Sequence, residues 1–371
     1  MKKIKRIAGV AVLVCLLLAG CSRGKPIEEL TMAFGFGVDT AERPGQKKFS
    51  IVYPTFSKEA EVKNNVAVSV GVNLQQALLN MAAVSEKDIV LGQIKDILVG
   101  EEVARQGQLS HTLDLLTRDP RFPLIAQVVV CEGKAEEILK LKPPANPRIG
   151  VFLESTLQAT QQKGLIPKTN INDYYIRLSA EGWDPYLPYV VKGIEMPKHV
   201  GTALFKDEKL VGRLNQDDSV IMAFLTGESI AARGSYEDPV NPKQEFSVMY
   251  DDEKVKVRTT IENGIPVFNI HLKILAELTD IEPETKNLLK AKNIKLYEEA
   301  LAKQVSRQAQ KVIAKLQKLQ TDPIGLGAYL KMEHWDYWQS ITDKHWKEVY
   351  PKAKIKVHTT VQINRFGATT R

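Results

Sequence analysis

The chain has 371 residues, 51 of them basic and 44 acidic, a formal charge of +7. Four of the basic residues, Lys2, Lys3, Lys5 and Arg6, lie at its start. Beyond them 47 cations face 44 acids, which excludes a generally basic nucleic-acid surface. Three cysteines, at 15, 21 and 131, leave no intrachain disulfide framework once the leader is set aside, so stability must come from packing.

Ile7 to Leu18 is an uninterrupted apolar run of 12 residues behind that basic start. A membrane-spanning helix needs about 20. The run suits the h-region of a secretory signal, with Ala19 and Gly20 as the small residues of a processing site. Leu18-Ala19-Gly20-Cys21 resembles the lipobox of bacterial lipoproteins, whose cysteine thiol receives a diacylglyceryl group before the chain is cut ahead of it. The expectation is a lipoprotein signal peptide at 1–20 and a lipidated Cys21. Two or more acyl chains, at about 0.8 kcal/mol per buried CH2, hold a protein stably on a membrane.

After a short polar tether, alternating apolar residues predict strands at Leu30–Val38 and Phe49–Tyr53, joined as a hairpin through residues 41–45. Gly35-Phe36-Gly37 lacks the third glycine of a dinucleotide fingerprint and alternates like a strand. Residues 57–69 read as a loop or poor strand. Leu74–Ala82 has helical spacing, Ile94–Val99 reads as a strand, and Glu101 and Glu102 open a helix whose macrodipole favours acids in its first turn. A second helix follows through Leu109, Leu113 and Leu116. Then come a buried strand ending at Cys131, whose thiol is expected to be structural, and helices near 134–141 and 149–164. Asp173-Tyr174-Tyr175 and Trp183-Asp184-Pro185-Tyr186 form an aromatic patch, expected to cap a core or fill a domain seam.

Past a boundary near Gly193–His199, the turn 206–209 predicts a second hairpin, and Asp217 or Asp218 is expected to cap a short helix. Runs at 246–250, 255–261 and 267–278 predict an antiparallel sheet, the last two joined at Asn263-Gly264. A long helix starts at Glu282-Pro283 and stops at Asp322-Pro323. Its apolar stripe is expected to lie on its own sheet rather than in a coiled coil. Trp335, Trp338 and Trp346 sit on short helices, and 355–363 alternates as a half-buried last strand. The fold class is α+β. The length suits two or three domains, the last part a sheet covered by the long helix.

No catalytic set emerges. The six histidines lack His-x-x-x-His and His-Glu-x-x-His spacing, Gly227-Glu228-Ser229-Ile230-Ala231 lacks the second glycine of a nucleophile elbow, and no phosphate-cradling loop is present. The acid pairs sit at helix starts or exposed turns. No enzyme activity and no cofactor are expected.

The ordered set of motifs resembles the Ger(x)C family, the lipoprotein C subunits of spore germinant receptors. It comprises the lipobox, Phe34-Gly-Phe-Gly-Val-Asp39, Ile97-Leu-Val-Gly-Glu-Glu-Val-Ala-Arg-Gln-Gly107 and Leu113-Asp-Leu-Leu-Thr-Arg-Asp119. Farther on are Leu316–Asp322, Gly325-Leu-Gly327, Trp338 with Trp346, and Phe366-Gly367. The resemblance implies a fold of three mixed α/β domains, drawn at 21–193, 194–265 and 266–371, in a non-enzymatic protein on the outer face of the spore inner membrane. Its implied partners are a germinant receptor A subunit and a multi-spanning B subunit, together sensing nutrients and triggering spore germination. It also implies interface contacts at Glu101, Arg105 and Arg118. The competing reading, a solute-binding lipoprotein of a transporter, requires two similar lobes around a cleft, which this hairpin-rich order does not show.

Overall fold

The computed structural model describes residues 26, 29–55, 64–118, 122–228, 231–280 and 291–366. The leader, Cys21 and the expected start of the long helix at Glu282 lie outside them.

The chain first builds β1 (Leu30–Met32), β2 (Gly35–Thr40), β3 (Lys47–Pro54), β4 (Asn64–Gly71), α1 (Leu74–Ala82), β5 (Asp88–Val90) and β6 (Asp96–Gly100). It continues with α2 (Glu101–Arg105), α3 (Leu109–Arg118), β7 (Gln127–Cys131), α4 (Ala135–Leu139), α5 (Ile149–Gln162) and α6 (Ile171–Ser179). β8 (Tyr186–Lys192), β9 (Pro197–Lys206) and β10 (Lys209–Leu214) complete an eight-stranded sheet in the order β10-β9-β8-β7-β6-β2-β3-β4. Its centre, β2, β6, β7 and β8, is parallel, because long crossovers that include helices connect those strands; hairpins extend both wings. Alternation sends Ile97, Val99, Val128 and Val130 to one face, against α1, α3 and α6. Leu98, Val129 and Cys131 go to the other, against α4 and α5.

The remaining elements are α7 (Gln216–Thr226), β11 (Arg233–Glu237), β12 (Glu245–Glu262), β13 (Ile265–Asp280), α8 (Ala291–Leu319), α9 (Leu326–Glu333), α10 (Trp335–Val349) and β14 (Lys354–Phe366). The four strands pair in the order β11-β12-β13-β14. The stripe Tyr297, Leu301, Val305, Ala309, Val312 and Leu316 of α8 packs in one core with Ile270, Leu272 and Ile274 of β13, so the helix lies on its own sheet. Asn263 and Gly264 both take positive φ, 51° and 77°, at the two-residue turn between β12 and β13.

Several expectations change. Residues 64–71 form a full edge strand, since Val66, Val68 and Val70 alternate along β3. The two runs at 246–250 and 255–261 are one strand with a bulge between Tyr250 and Asp252. β14, whose direction its alternation leaves open, runs parallel to β13, because α8, α9 and α10 supply the crossover that parallel pairing requires. Asn215, not an aspartate, caps α7, its side chain accepting from the Asp218 N–H at 2.8 Å. Both large sheets continue across residues 193 and 265, since β8 pairs with β9 and β12 with β13. The strands of 194–265 are thereby shared between the eight-stranded and four-stranded sheets, since each hairpin turn keeps its two strands together.

Candidate functional site

Two places gather the singled-out residues. The first lies at the C-terminal ends of β2, β6 and β7. There α2 leaves toward one face and α4 toward the other, which opens a crevice where the winding reverses. It encloses about 320 Å³ and is lined by Asp39, Gly100, Glu101, Arg105, Gly133 and Lys134, among others. Asp39 forms its buried floor. Its Oδ1 accepts from the Ala135 N–H at 2.7 Å and its Oδ2 from the Glu136 N–H at 3.0 Å, so a strand residue caps α4, whose own N-cap Lys134 makes no side-chain bond. Burial raises the Asp39 carboxyl above its ordinary range, and the two N–H donors oppose that rise. Gly100 is required here. A Cβ would stand 2.2 Å from Asp39 Oδ1. The Glu101 N–H donates to Gly133 O at 3.0 Å and ties the two exits together.

Glu101 and Arg105 sit at this mouth, joined one helical turn apart by Nε–Oε1 at 3.1 Å. Arg118 is not a lining residue. It ends α3, exposed, with Nε 2.8 Å from Asp114 Oδ2, and that contact raises its pKa. The three interface candidates therefore do not form one cluster. Cys21 lies outside the described residues. Cys131 is fully buried behind Asp39, and burial pushes its thiol pKa up, as a structural thiol requires.

The second place joins the two halves. Asp322 is buried with its carboxylate accepting from the Gly325 N–H (3.0 Å), the Gly327 N–H (2.9 Å) and Trp346 Nε1–H (3.3 Å). Its own N–H donates to Asp184 Oδ2 at 2.8 Å, and its carbonyl accepts from the Asp184 N–H at 3.0 Å. Trp183 Nε1–H donates to Pro323 O at 2.9 Å, and Trp338 Nε1–H to Glu181 Oε2 at 3.1 Å. Gly182 and Gly327 meet so closely that a Cβ on Gly327 would lie 2.5 Å from Gly182 Cα. Burial pushes the Asp322 carboxyl up to about 7 against those donors. The aromatic patch at 183–186 thus fills a seam, with the Arg177 guanidinium stacked 4.1 Å over the Tyr186 ring. Sequence reading took Asp322 as a helix stop and a motif end, Asp39 as a motif end and Asp184 as part of the aromatic patch, and assigned none of their carboxylates a partner. Their partners lie up to 138 residues away, beyond any local pattern.

Chemically, both places consume their carboxylates internally. Among the described residues no group of three or more His, Cys, Asp or Glu is placed to hold a metal.

Two family models match in succession. One, described as a spore germination protein N-terminal domain, matches residues 23–192, and one described as spore germination B3/GerAC like, C-terminal, matches residues 200–367. The chain is 25% identical over 360 residues to spore germination protein GerQC of Bacillus cereus, covering 96% of this chain and 98% of that one. It is 24% identical over 371 residues to spore germination protein B3 of Bacillus subtilis (strain 168), covering 96% and 97%. The crystal structure of the GerBC protein shares the fold, with a TM-score of 0.58 at 20% identity over 89% of this chain and 98% of that one. Matched in order by the two models over nearly its whole length, and in fold by GerBC, the chain belongs to the Ger(x)C family of spore germination proteins.

Proposed function

We propose that this chain is the lipid-anchored C subunit of a spore nutrient germinant receptor, acting by docking rather than by catalysis. It would sit on the outer face of the spore inner membrane with an A subunit and a multi-spanning B subunit, holding the receptor assembled or relaying its state. Family membership supports the role in germination. The observation that carries the docking role is how the motif residues are used. Asp39 with Gly100, and Asp322 with Gly325 and Gly327, fasten elements to one another and leave no reactive group presented to a substrate. Glu101, Arg105 and Arg118 are proposed as contacts with the other subunits. Each already has a partner within its own helix, and such exposed pairs exchange readily for a partner's charges.

Attachment is assigned to lipid on Cys21, and its support is the Leu18-Ala19-Gly20-Cys21 lipobox; among the described residues no helix is long and apolar enough to cross a membrane. The solute-binding alternative calls for two similar lobes. The two large sheets here, eight mixed strands and four, are unlike in size and order.

The test is Cys21→Ala in the native spore-former. The expected result is loss of the protein from the inner-membrane fraction together with loss of nutrient germination, while calcium dipicolinate still triggers germination. Normal retention with a normal nutrient response would overturn the assignment.

A further inference from the structure

β12, β13 and β14 bury one face against α8 and leave the other exposed. On that outer face register places cations in adjacent rows. Lys254 lies opposite Lys273, Lys256 opposite His271 and then His358, and Arg258 opposite Asn269 and then Lys356. All five Lys and Arg side chains and both histidines are exposed. The two imidazoles stack, with centroids 5.1 Å apart. None of the five cations forms an ion pair among the described residues. Acids on this face stand toward its ends: Asp252, opposite Leu275 and next in line to Lys254, with Asp251 at the bulge and Glu277 beyond it, and, at the other end, Glu262, which holds Lys354 at 3.4 Å.

Strand spacing of about 4.8 Å and a rise of about 3.3 Å per residue put the five cations in a field roughly 10 by 13 Å. Neighbours therefore sit about a Debye length apart or closer at physiological salt, and like charges directly opposite destabilise a sheet. An opposed anionic plane removes that repulsion. These three rows carry no exposed large apolar side chain, Ile265 lying at the turn end of the face, whereas the cores of protein–protein interfaces favour aromatics and are depleted in lysine. Clusters of this size beside a membrane recognise anionic lipid.

We propose that this sheet face rests on an anionic phospholipid surface, an attachment separate from any lipid on Cys21. The full-length chain carrying Cys21→Ala tests it without an anchor, so a failure here is distinct from a failure of the anchoring assignment. Its partition onto phosphatidylcholine vesicles, pure or mixed with phosphatidylglycerol, is compared with that of the same chain carrying Lys254→Gln, Lys256→Gln, Lys273→Gln and Lys356→Gln. A control carries Lys142→Gln, Lys163→Gln, Lys168→Gln and Lys243→Gln, an equal charge change elsewhere. The leader is common to all three. The parent is expected to prefer the mixed vesicles in a salt-sensitive manner. The sheet-face variant should lose roughly 1,000-fold of that binding, and the control should keep most of it. The sheet-face variant should also melt no lower than the parent, since its substitutions relieve repulsion. Equal partition of the parent onto both vesicle types, or equal losses in both variants, would overturn the proposal. Equal partition together with loss of nutrient germination in spores bearing the sheet-face variant would assign the face to an acidic protein partner instead.

Discussion

Asp96 opens β6 with both carboxylate oxygens buried and without a hydrogen-bond partner among the described residues. Desolvation raises its pKa well above 3.8, Glu154 adds to the rise, and Lys95 opposes it. Because the folded-state pKa lies above the unfolded one, the folded chain keeps this proton longer. The group's contribution to stability is full below about 3.8 and is lost as pH rises through the raised value. Asp96→Asn keeps the shape and cannot ionise. It is expected to stabilise the protein at neutral pH by roughly 1–3 kcal/mol, with the gain disappearing in acid. Thermal melts across that range check it, and parallel curves for the two proteins would sink the idea. Asp322 is the contrasting case, since three donors already meet its carboxylate. The sequence distinguishes neither residue. One acid in an apolar run and another before a proline carry no sign of which will be satisfied.

At the scale of elements, alternation and turn chemistry were read well because they are local. Phe36 and Val38 alternate about Gly37, which argued for a strand over a dinucleotide loop. In the fold Gly37 makes room for α4: a Cβ there would lie 2.7 Å from Leu139 Cδ1. What alternation cannot give is direction or partner. β14 shows the same period whether parallel or antiparallel, and its neighbour β13 lies some 90 residues earlier. The crevice glycine is equally silent in sequence, since its need arises from Asp39 in another strand. Gly100→Ala should push Asp39 off the α4 N–H groups and cost about 2–4 kcal/mol in urea unfolding. Asp39→Ala removes the obstacle. The double variant should therefore be less destabilised than the sum of the two singles, and strict additivity would show that the two residues do not meet as described.

Across the whole molecule, the family was legible because its motifs keep their order over nearly the full length. The seam was legible only in part: the patch at 183–186 was expected to cap a core or fill a domain seam, but nothing local named what it meets. Trp183 and Asp184 read as a patch and Asp322 as a helix end, and only the fold brings them together. If a docking subunit relays a state between its halves, that seam is the joint through which the halves are coupled. Asp322→Asn tests the coupling with almost no change in volume. An amide has only one acceptor oxygen, so its NH2 group would confront either the Gly325 donor on Oδ1 or the Gly327 and Trp346 donors on Oδ2, leaving at least one buried donor unmet at a cost of about 1–3 kcal/mol. Calorimetry of the parent should give one cooperative transition. In the variant it should broaden or divide as the eight-stranded and four-stranded halves begin to melt separately. Spores bearing it should keep the protein in the membrane fraction yet respond weakly to nutrients. A variant that melts as a single transition and germinates normally would mean that the seam holds the chain together without transmitting anything.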